Sequence, residues 1–589
     1  MLELIFTVWM YNSKLYPYDR EKLSILKLLP RPNPGYWTAF LRLLGCALGL
    51  VLFQSAVALA DAPLGSVYVP LDNWVYAAFD RLAGLGAINK QFVSLRPWTR
   101  LQCAQLVLDA DEILLNADAQ KGEAMALYEA LNQEFSVEIN FLNTGSARQA
   151  GVESLYTRAM GISGTPLRDS YHFGQTIAND FGRAFNTGFN NVTGFSAQAV
   201  RGRFFAYARG EYQYSPAYAG LTAAQQSYIE QLDLTPSAPY SQATGAVNQF
   251  DLLDTYVGVR LSIYNVSFGK QSLWWGPGTM GPMLFSNNID PIYMFRVDQV
   301  QPIVLPSFLK YLGPVRAELF YGKLAGHHFP GGPPGPYFHG EKVSLKPTPN
   351  MEIGFSRTNV AFGQGIPFTL HNLFDSYFSF SDSCCVASQD FSGDNKGGMD
   401  FSYRLPHLRK WLTIYTDNFS DDDVNPLVNP SRAFYNPGLY LSQIPRLPKF
   451  DLRFELANTV TQEQPYWNWH YRDSYTNKGF LIGDTVGRRG SAFDISTTYW
   501  HSPRKRVQIG WREQRVGREF IPSGGSQNSI RVKADWFVQK DMELSVLAQH
   551  ERWVFPFLAT GAQSNNVVSV QFTVYPKKLW SRTALKNSD

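Results

Sequence analysis

The hydrophobic pattern changes period once along the chain. From residue 61 to about 141, apolar residues recur every three or four positions, the spacing of an amphipathic helix. Trp74, Ala78, Leu82 and Leu85 form one stripe that stops at Gly86; Cys103, Val107, Ala110 and Leu114 form a second; Ala124, Leu127, Tyr128, Leu131 and Phe135 form a third. Thr99 followed by Gln102 has the spacing of a capping box, so it marks the start of the second helix. Three short helices packed as a small bundle are expected over 61–150, as a structural plug or docking module.

Beyond about residue 150 the period is two. In 203–214, Phe204, Ala206, Ala208, Tyr212 and Tyr214 alternate with Arg209, Glu211 and Gln213. In 530–539, Ile530, Val532, Ala534, Trp536 and Val538 oppose Arg531, Lys533, Asp535 and Gln539. In 567–575, Val568, Val570, Phe572 and Val574 oppose Ser569, Gln571 and Thr573. Similar runs occupy 255–262, 264–269, 315–323, 342–346, 351–356, 399–404, 411–417, 451–456, 492–499, 507–514 and 542–550.

Alternation alone fits either a soluble sandwich or a membrane barrel. Three features favour the barrel. Most runs are long enough for a tilted spanning strand of about 9–11 residues. Aromatics gather at run ends, as in Trp274-Trp275, Tyr499-Trp500 and Trp553, where interface girdles sit. Residues 43–60 form an apolar run behind Arg42 that ends in Ala58-Leu59-Ala60, the form of a secretory signal peptide cleaved before Asp61. After that leader no apolar run reaches the roughly 18 residues a spanning helix needs, and lipid tolerates only helices and closed barrels. The expected fold is therefore mainly β: a transmembrane antiparallel barrel over 151–579, on the order of 16–18 strands. A leader over 1–60 and the bundle over 61–150 precede it, and a tail over 580–589 follows.

Aromatic residues make up 15% of the chain and charged residues 17%, a balance suited to a large lipid-facing or sugar-facing surface. The formal net charge is +4, most of it in the first 60 residues. No basic excess remains to neutralise phosphates, which excludes nucleic acid as a partner. The four cysteines, Cys46, Cys103, Cys384 and Cys385, make no disulfide framework.

Candidate chemistry is sparse. Gly276-Pro277-Gly278-Thr279-Met280-Gly281 matches G-x-G-x-x-G in letters, but Pro277 and Pro282 remove donors and no helix pattern follows, so no dinucleotide site is expected. Metalloprotease, nucleophile-elbow and Walker signatures are absent from the sequence. His327, His328 and His339, and the run Asp421-Asp422-Asp423, read as solvated loop residues rather than metal ligands. Glu211, Glu318, Asp400, Asp451 and Glu455 face Arg203, Arg209, Arg260, Arg316 and Arg453 as a lumen charge lattice, and nothing picks out a catalytic pair among them. No cofactor or metal is implied. The 465–472 loop, Pro-Tyr-Trp-Asn-Trp-His-Tyr-Arg, is the most aromatic. Indole and phenol faces stack on the C–H face of sugars while Asn, His and Arg reach hydroxyls, so the loop reads as either a polysaccharide surface or a packed cover for the barrel mouth.

The stretch Phe268-Gly269-Lys270-Gln271-Ser272-Leu273-Trp274-Trp275-Gly276-Pro277-Gly278, with Ser286-Asn287-Asn288 and Pro291, resembles the signature of the Wzi capsule-assembly family. Trp469-His470-Tyr471-Arg472 with Tyr475, Gly479-Phe480, Ile482-Gly483 and Gly490 is similar to that family's second motif, and Pro70-Leu71-Asp72 with Arg96-Pro97-Trp98-Thr99-Arg100 to its periplasmic bundle. The resemblance implies an 18-stranded outer-membrane barrel, closed by loops outside and by the bundle inside, that binds capsular or exopolysaccharide as a surface lectin without catalysis. A porin or export channel is the alternative, and a lumenal glycosidase ranks below it. The implied binding residues are Trp274, Trp275, Trp467 and Trp469 for stacking or framing, and Asn287, Asn288, His470 and Arg472 for hydrogen bonds. Outer-membrane lipid is the other partner, and the protein is expected to be a monomer. Parity along the strand places Trp274 at the membrane interface and Trp275 in the lumen.

Overall fold

The computed structural model describes residues 63–115, 122–235, 241–328, 335–363, 366–378, 393–406, 411–421, 432–460 and 464–576. The leader, Cys46, the Cys384-Cys385 pair, Asp422, Asp423 and the C-terminal tail lie outside the described residues.

The wall is one closed antiparallel sheet with 18 positions. Its strands are β1 Arg148–Ser163, β2 Gly188–Arg201, β3 Phe204–Ser215, β4 in two pieces Val247–Leu252 and Thr255–Leu261, β5 Tyr264–Gln271, and β6 Ile292–Gln299 continued by Ile303–Val304. There follow β7 Pro314–Lys323, β8 Tyr337–Thr348, β9 Met351–Ala361, β10 Asp394–Arg404, β11 Leu412–Asp421 and β12 Phe434–Leu441. The remaining strands are β13 Phe450–Asn458, β14 Gly490–Ser502, β15 Lys505–Val516, β16 Gly525–Gln539, β17 Met542–Val554 and β18 Gln563–Val574. The ring closes where Leu155 to Ser163 of β1 pair with Val574 to Asn566 of β18.

Outward side chains form an apolar belt. Phe204, Val257, Phe268, Ile509, Ile530, Val532, Val568, Val570 and Phe572 are all exposed on the wall, which on a closed barrel means facing lipid. One end of the barrel carries tight turns, such as Ser502 to Lys505 and Gln539 to Met542; the other carries the long loops. Tight turns face the periplasm in such barrels, which sets the orientation.

Among the described residues, the region expected to hold three helices holds four: α1 Val75–Gly84, α2 Arg100–Leu115, α3 Glu123–Glu134 and α4 Ser136–Thr144. The Thr99 capping box forms as expected: Thr99 N–H donates to Gln102 Oε1 (2.8 Å) and Gln102 N–H to Thr99 Oγ1 (3.1 Å). The bundle seats on the turn end of the barrel. Trp500 and Phe537 of the wall join the buried cluster of Trp74, Phe79, Leu82, Trp98, Leu131 and Phe135. Arg404 Nη1 donates to Ala83 O (2.7 Å) and Arg81 Nη2 to Pro448 O (2.6 Å).

Two of the expected girdle aromatics point the other way. Trp500 is buried with its Nε1 donating to Asp451 Oδ2 (2.7 Å), and Trp553 is buried with its Nε1 donating to Thr165 O (2.9 Å). Both sit at strand ends but on the lumen side, where a covered mouth needs apolar bulk as much as the interface does.

The segment 272–291 crosses the lumen. It leaves β5 at Gln271, pairs with the bundle through Trp274 N–H to Arg96 O (2.9 Å) and Arg96 N–H to Trp274 O (3.1 Å), and reaches the far wall. There Glu455 of β13 accepts from Thr279 N–H (2.8 Å) and Met280 N–H (2.6 Å), and Asp417 of β11 accepts from Met283 N–H (2.6 Å). Trp275, Met283, Leu284 and Phe285 pack with Phe320, Phe338, Tyr466 and Tyr475 into a buried core inside the barrel. The glycine-rich turn thus presents backbone N–H groups to an anion, but the anion is the protein's own Glu455 carboxylate.

Charged lumen pairs form as a lattice: Arg296 with Glu318 (3.1 Å), Arg316 with Asp298 (2.9 Å), Lys342 with Asp400 (2.5 Å) and Arg183 with Glu211. Arg183, Arg296 and Lys342 supply partners that strand alternation did not nominate. His327, His328 and His339 do not converge: His327 Nε2 meets Thr476 O (2.9 Å), His328 N–H donates to Asp473, and His339 lies on the outer wall beside Glu341. Among the described residues no group of His, Cys, Asp and Glu could hold a metal ion.

Candidate functional site

The eight residues singled out by the sequence fall into three places. Trp275 and Asn288 belong to the plug core. Trp275 is 1% exposed, packs its ring against Phe320 (5.4 Å between centroids) and donates Nε1–H to Glu318 Oε1 (3.3 Å). Asn288 is fully engaged: its Oδ1 accepts from Gln175 Nε2 (2.9 Å) and Asn179 N–H (3.1 Å), and its Nδ2 donates to Leu481 O (3.1 Å). Asn288 holds the cover loops 175–179 and 481 to the plug, while Trp275 packs the plug against β7.

Trp274 and Asn287 face a lumen cavity of about 440 Å³ that also meets Asp80, Arg453, Arg512 and Arg531. Trp274 is buried, and its Nε1 donates to Gly278 O (3.2 Å), which overturns its expected place at the membrane interface. The parity that pointed there assumes a strand, but Gly269 takes φ 144° and the strand stops at Gln271, so the tryptophans belong to the plug. Asn287 Oδ1 accepts no hydrogen bond from a described residue.

Trp467, Trp469, His470 and Arg472 lie together at the loop end. They are held by a helix absent from the expected pattern, α5 Ala223–Asp233, whose own capping box joins Thr222 and Gln225. Its C-terminal carbonyls carry the negative end of the helix dipole. Trp467 Nε1 donates to Asp233 O (3.1 Å) and Arg472 Nη1 to Leu234 O (2.6 Å). Trp469 is 48% exposed, meets Trp467 edge-on (6.1 Å) and carries the Arg472 guanidinium over its ring (4.9 Å). Burial and the neighbouring Arg472 charge hold His470 below the usual histidine range, so it is neutral at pH 7.

Under this platform a buried ion cluster ties three loops. The Asp233 carboxylate accepts from Arg488 Nη1 (2.6 Å) and faces His172 Nε2 (3.0 Å), while His172 Nδ1 faces Asp169 (2.7 Å). Burial works against charge on His172, but Asp233 and Asp169 outweigh it and raise the imidazole to about 9. The sequence reading missed this cluster. The Thr222 to Gln225 capping spacing was the available signal for α5; nothing local links positions 169, 172, 233 and 488.

The family model described as capsule assembly protein Wzi matches residues 157–568. Among solved structures, the chain is similar to the Escherichia coli outer-membrane protein Wzi, described as a carbohydrate-binding β-barrel involved in group 1 capsule assembly. The TM-score is 0.63 at 15% identity, over 87% of this chain and 99% of that one. A weaker likeness, TM-score 0.39 at 7% identity over 72% of this chain and 95% of the other, is to Pseudomonas aeruginosa OprD. A 55.8 kDa protein of the Klebsiella pneumoniae cps region is 22% identical over 194 residues; the match spans 33% of this chain and 37% of that protein.

Proposed function

We propose, from the premise that this chain belongs to the capsule assembly protein Wzi family, that it is a lectin holding capsular or exopolysaccharide on the outer face of the outer membrane. The observation that carries this reading is Trp469, nearly half exposed at the loop end with a guanidinium over its ring. The indole edge and face offer an apolar surface to a sugar's C–H side, and Arg472 adds positive charge and planar hydrogen-bonding geometry. Among the described residues, the carboxylates adjoining the platform are engaged elsewhere, Asp233 with Arg488 and His172 and Asp473 with the His328 N–H, which supports binding without catalysis. The lumen below is crossed by the plug and floored by the bundle, which supports attachment over conduction. The protein is proposed to act as a monomer.

The test is polysaccharide binding by the folded protein together with capsule retention on cells. Trp469→Ala with Arg472→Ala is expected to weaken binding by about tenfold, the scale of one lost stacking and cation contact, and to shift capsule from the cell-bound to the released fraction. Unchanged binding and retention in a correctly folded variant would remove the platform from the proposal.

A further inference from the structure

The lumen cavity of about 440 Å³ lies between the plug, the loop 175–179, the bundle and strands β12–β17, and none of the platform residues lines it. Its carboxylates are all engaged. Asp72 meets Arg209 (2.8 Å), Asp80 meets Arg96 (2.7 Å), Asp494 meets Arg531 (2.5 Å), and Asp451 accepts from Trp500 Nε1 (2.7 Å). Glu551 accepts from Thr176, Gln527 and Asn565, each at 2.7 Å. The side chains of Lys533 and Asp72, nearly half exposed, border the cavity, so it has room for solvent.

Three groups on the lining are not matched in this way. Arg96, Arg453, Arg506 and Arg531 each have a carboxylate partner, whereas Arg512 of β15 has none among the described residues. Its hydrogen bonds both leave from Nη2, to Thr485 Oγ1 (3.0 Å) and Gln514 Oε1 (2.9 Å), which are neutral. Asn287 of the plug is only 6% exposed, yet neither Oδ1 nor Nδ2 of its amide bonds to a described residue. Turning that amide about χ2 exchanges its acceptor and its donor without breaking a bond. Trp274 is held by its Nε1 on Gly278 O (3.2 Å), which fixes the indole as an apolar wall of the same cavity. A guanidinium without a counter-anion inside the ring draws a carboxylate, an unbonded amide suits a hydroxyl, and an indole suits a C–H face.

We propose that the lumen cavity is a binding site for a sugar acid, a single pyranose ring carrying a carboxylate. The carboxylate goes to Arg512, with Lys533 adding positive charge; hydroxyls go to Asn287; and the C–H side of the ring lies on Trp274. The cavity's size falls in the range of small-molecule sites, which is ample for one ring. The site shares no residue with the platform of Trp469 and Arg472, so it stands independently of that reading.

The experiment titrates the full mature chain, folded in detergent micelles, with glucuronate, methyl glucoside and acetate, and reads binding by saturation-transfer NMR. Glucuronate is expected to bind about tenfold more tightly than either of the others, because it alone offers both the carboxylate and the hydroxyls. Acetate binding equal to that of glucuronate would mean a bare anion site and overturns the proposal. Asn287→Ala removes an amide that bonds no described residue, so the fold is expected to survive, as heat-modifiable gel migration checks, and glucuronate to bind about fivefold more weakly. Arg512→Gln keeps a donor for Thr485 while removing the charge, and is expected to weaken glucuronate about tenfold, to the level of methyl glucoside. Unchanged glucuronate affinity in either folded variant overturns the proposal. The Trp469→Ala, Arg472→Ala variant is expected to bind glucuronate as the parent does. Loss of glucuronate there would place the probe on the platform and overturn the cavity site, whereas loss of polysaccharide alone would leave the cavity site standing and bear on the platform only.

Discussion

A Glu455→Ala, Asp417→Ala double variant is expected to turn a silent barrel into a conducting one. Glu455 accepts Thr279 N–H, Met280 N–H and the Tyr415 hydroxyl (2.6 Å), and Asp417 accepts Met283 N–H. These two carboxylates are the far anchors of the segment that crosses the lumen. Each buried donor left without an acceptor costs about 1–3 kcal/mol. Three stranded backbone donors give a total of about 4 kcal/mol, a shift of roughly a thousandfold toward a displaced plug. Planar-bilayer recording reads this directly: brief or sustained openings in the variant, none in the parent. A variant that stays silent would mean the apolar core of Trp275, Leu284 and Phe285 holds the plug alone. The same variant separates two readings of function, since an opened barrel that still retains capsule attaches polysaccharide independently of its lumen.

The plug also explains which parts of the fold were legible. Strands β3, β15, β16, β17 and β18 have apolar outward and polar inward faces, and the period of two exposes them at once. Four strands were not nominated. On β6 the inward residues Ile292 and Met294 pack on the plug core, so both faces are apolar and alternation vanishes. On β1 and β2 small or polar residues such as Thr157, Ala159, Gly161, Asn191 and Thr193 face outward, which flattens the contrast. On β12 Pro437 interrupts the pattern from within a strand, although it faces outward beside Thr416. A barrel that fills itself erases the inside-out signal wherever it is filled.

The candidate site was legible in its residues and not in its geometry. Trp467, Trp469, His470 and Arg472 were named from composition and stand together because they are close in sequence. Trp274 and Trp275 were read by strand parity, which fails once the chain leaves the wall at Gln271. Asn287 and Asn288 are adjacent, yet one faces the cavity and the other is locked to Gln175 and Leu481. Membership of a motif did not say which residue faces the cavity and which builds the core.

The loop cover is expected to loosen as pH rises from 6.5 to 9, and to do so through one imidazole. Folding raises His172 from an ordinary value of 6.5 to about 9, so its contribution is fully present below 6.5 and is lost as pH climbs through 9. The size of that shift corresponds to about 3 kcal/mol. The groups facing His172 are the carboxylates of Asp169 and Asp233, with Arg488 on the far side of Asp233. Deprotonation therefore leaves two buried carboxylates with one cation. Hydrogen exchange in residues 168–175 and 223–233 is expected to quicken across this window in the parent and to be flat in His172→Gln. An unchanged pH profile in His172→Gln would assign the transition elsewhere. Asp233→Ala should act at every pH, because it strands the Arg488 guanidinium in a buried site, a loss of about 3–5 kcal/mol. Trp467 and Arg472 hang from the same helix end, through Asp233 O and Leu234 O. Polysaccharide binding should therefore weaken together with the cover, along the same pH curve in the parent and at neutral pH in Asp233→Ala.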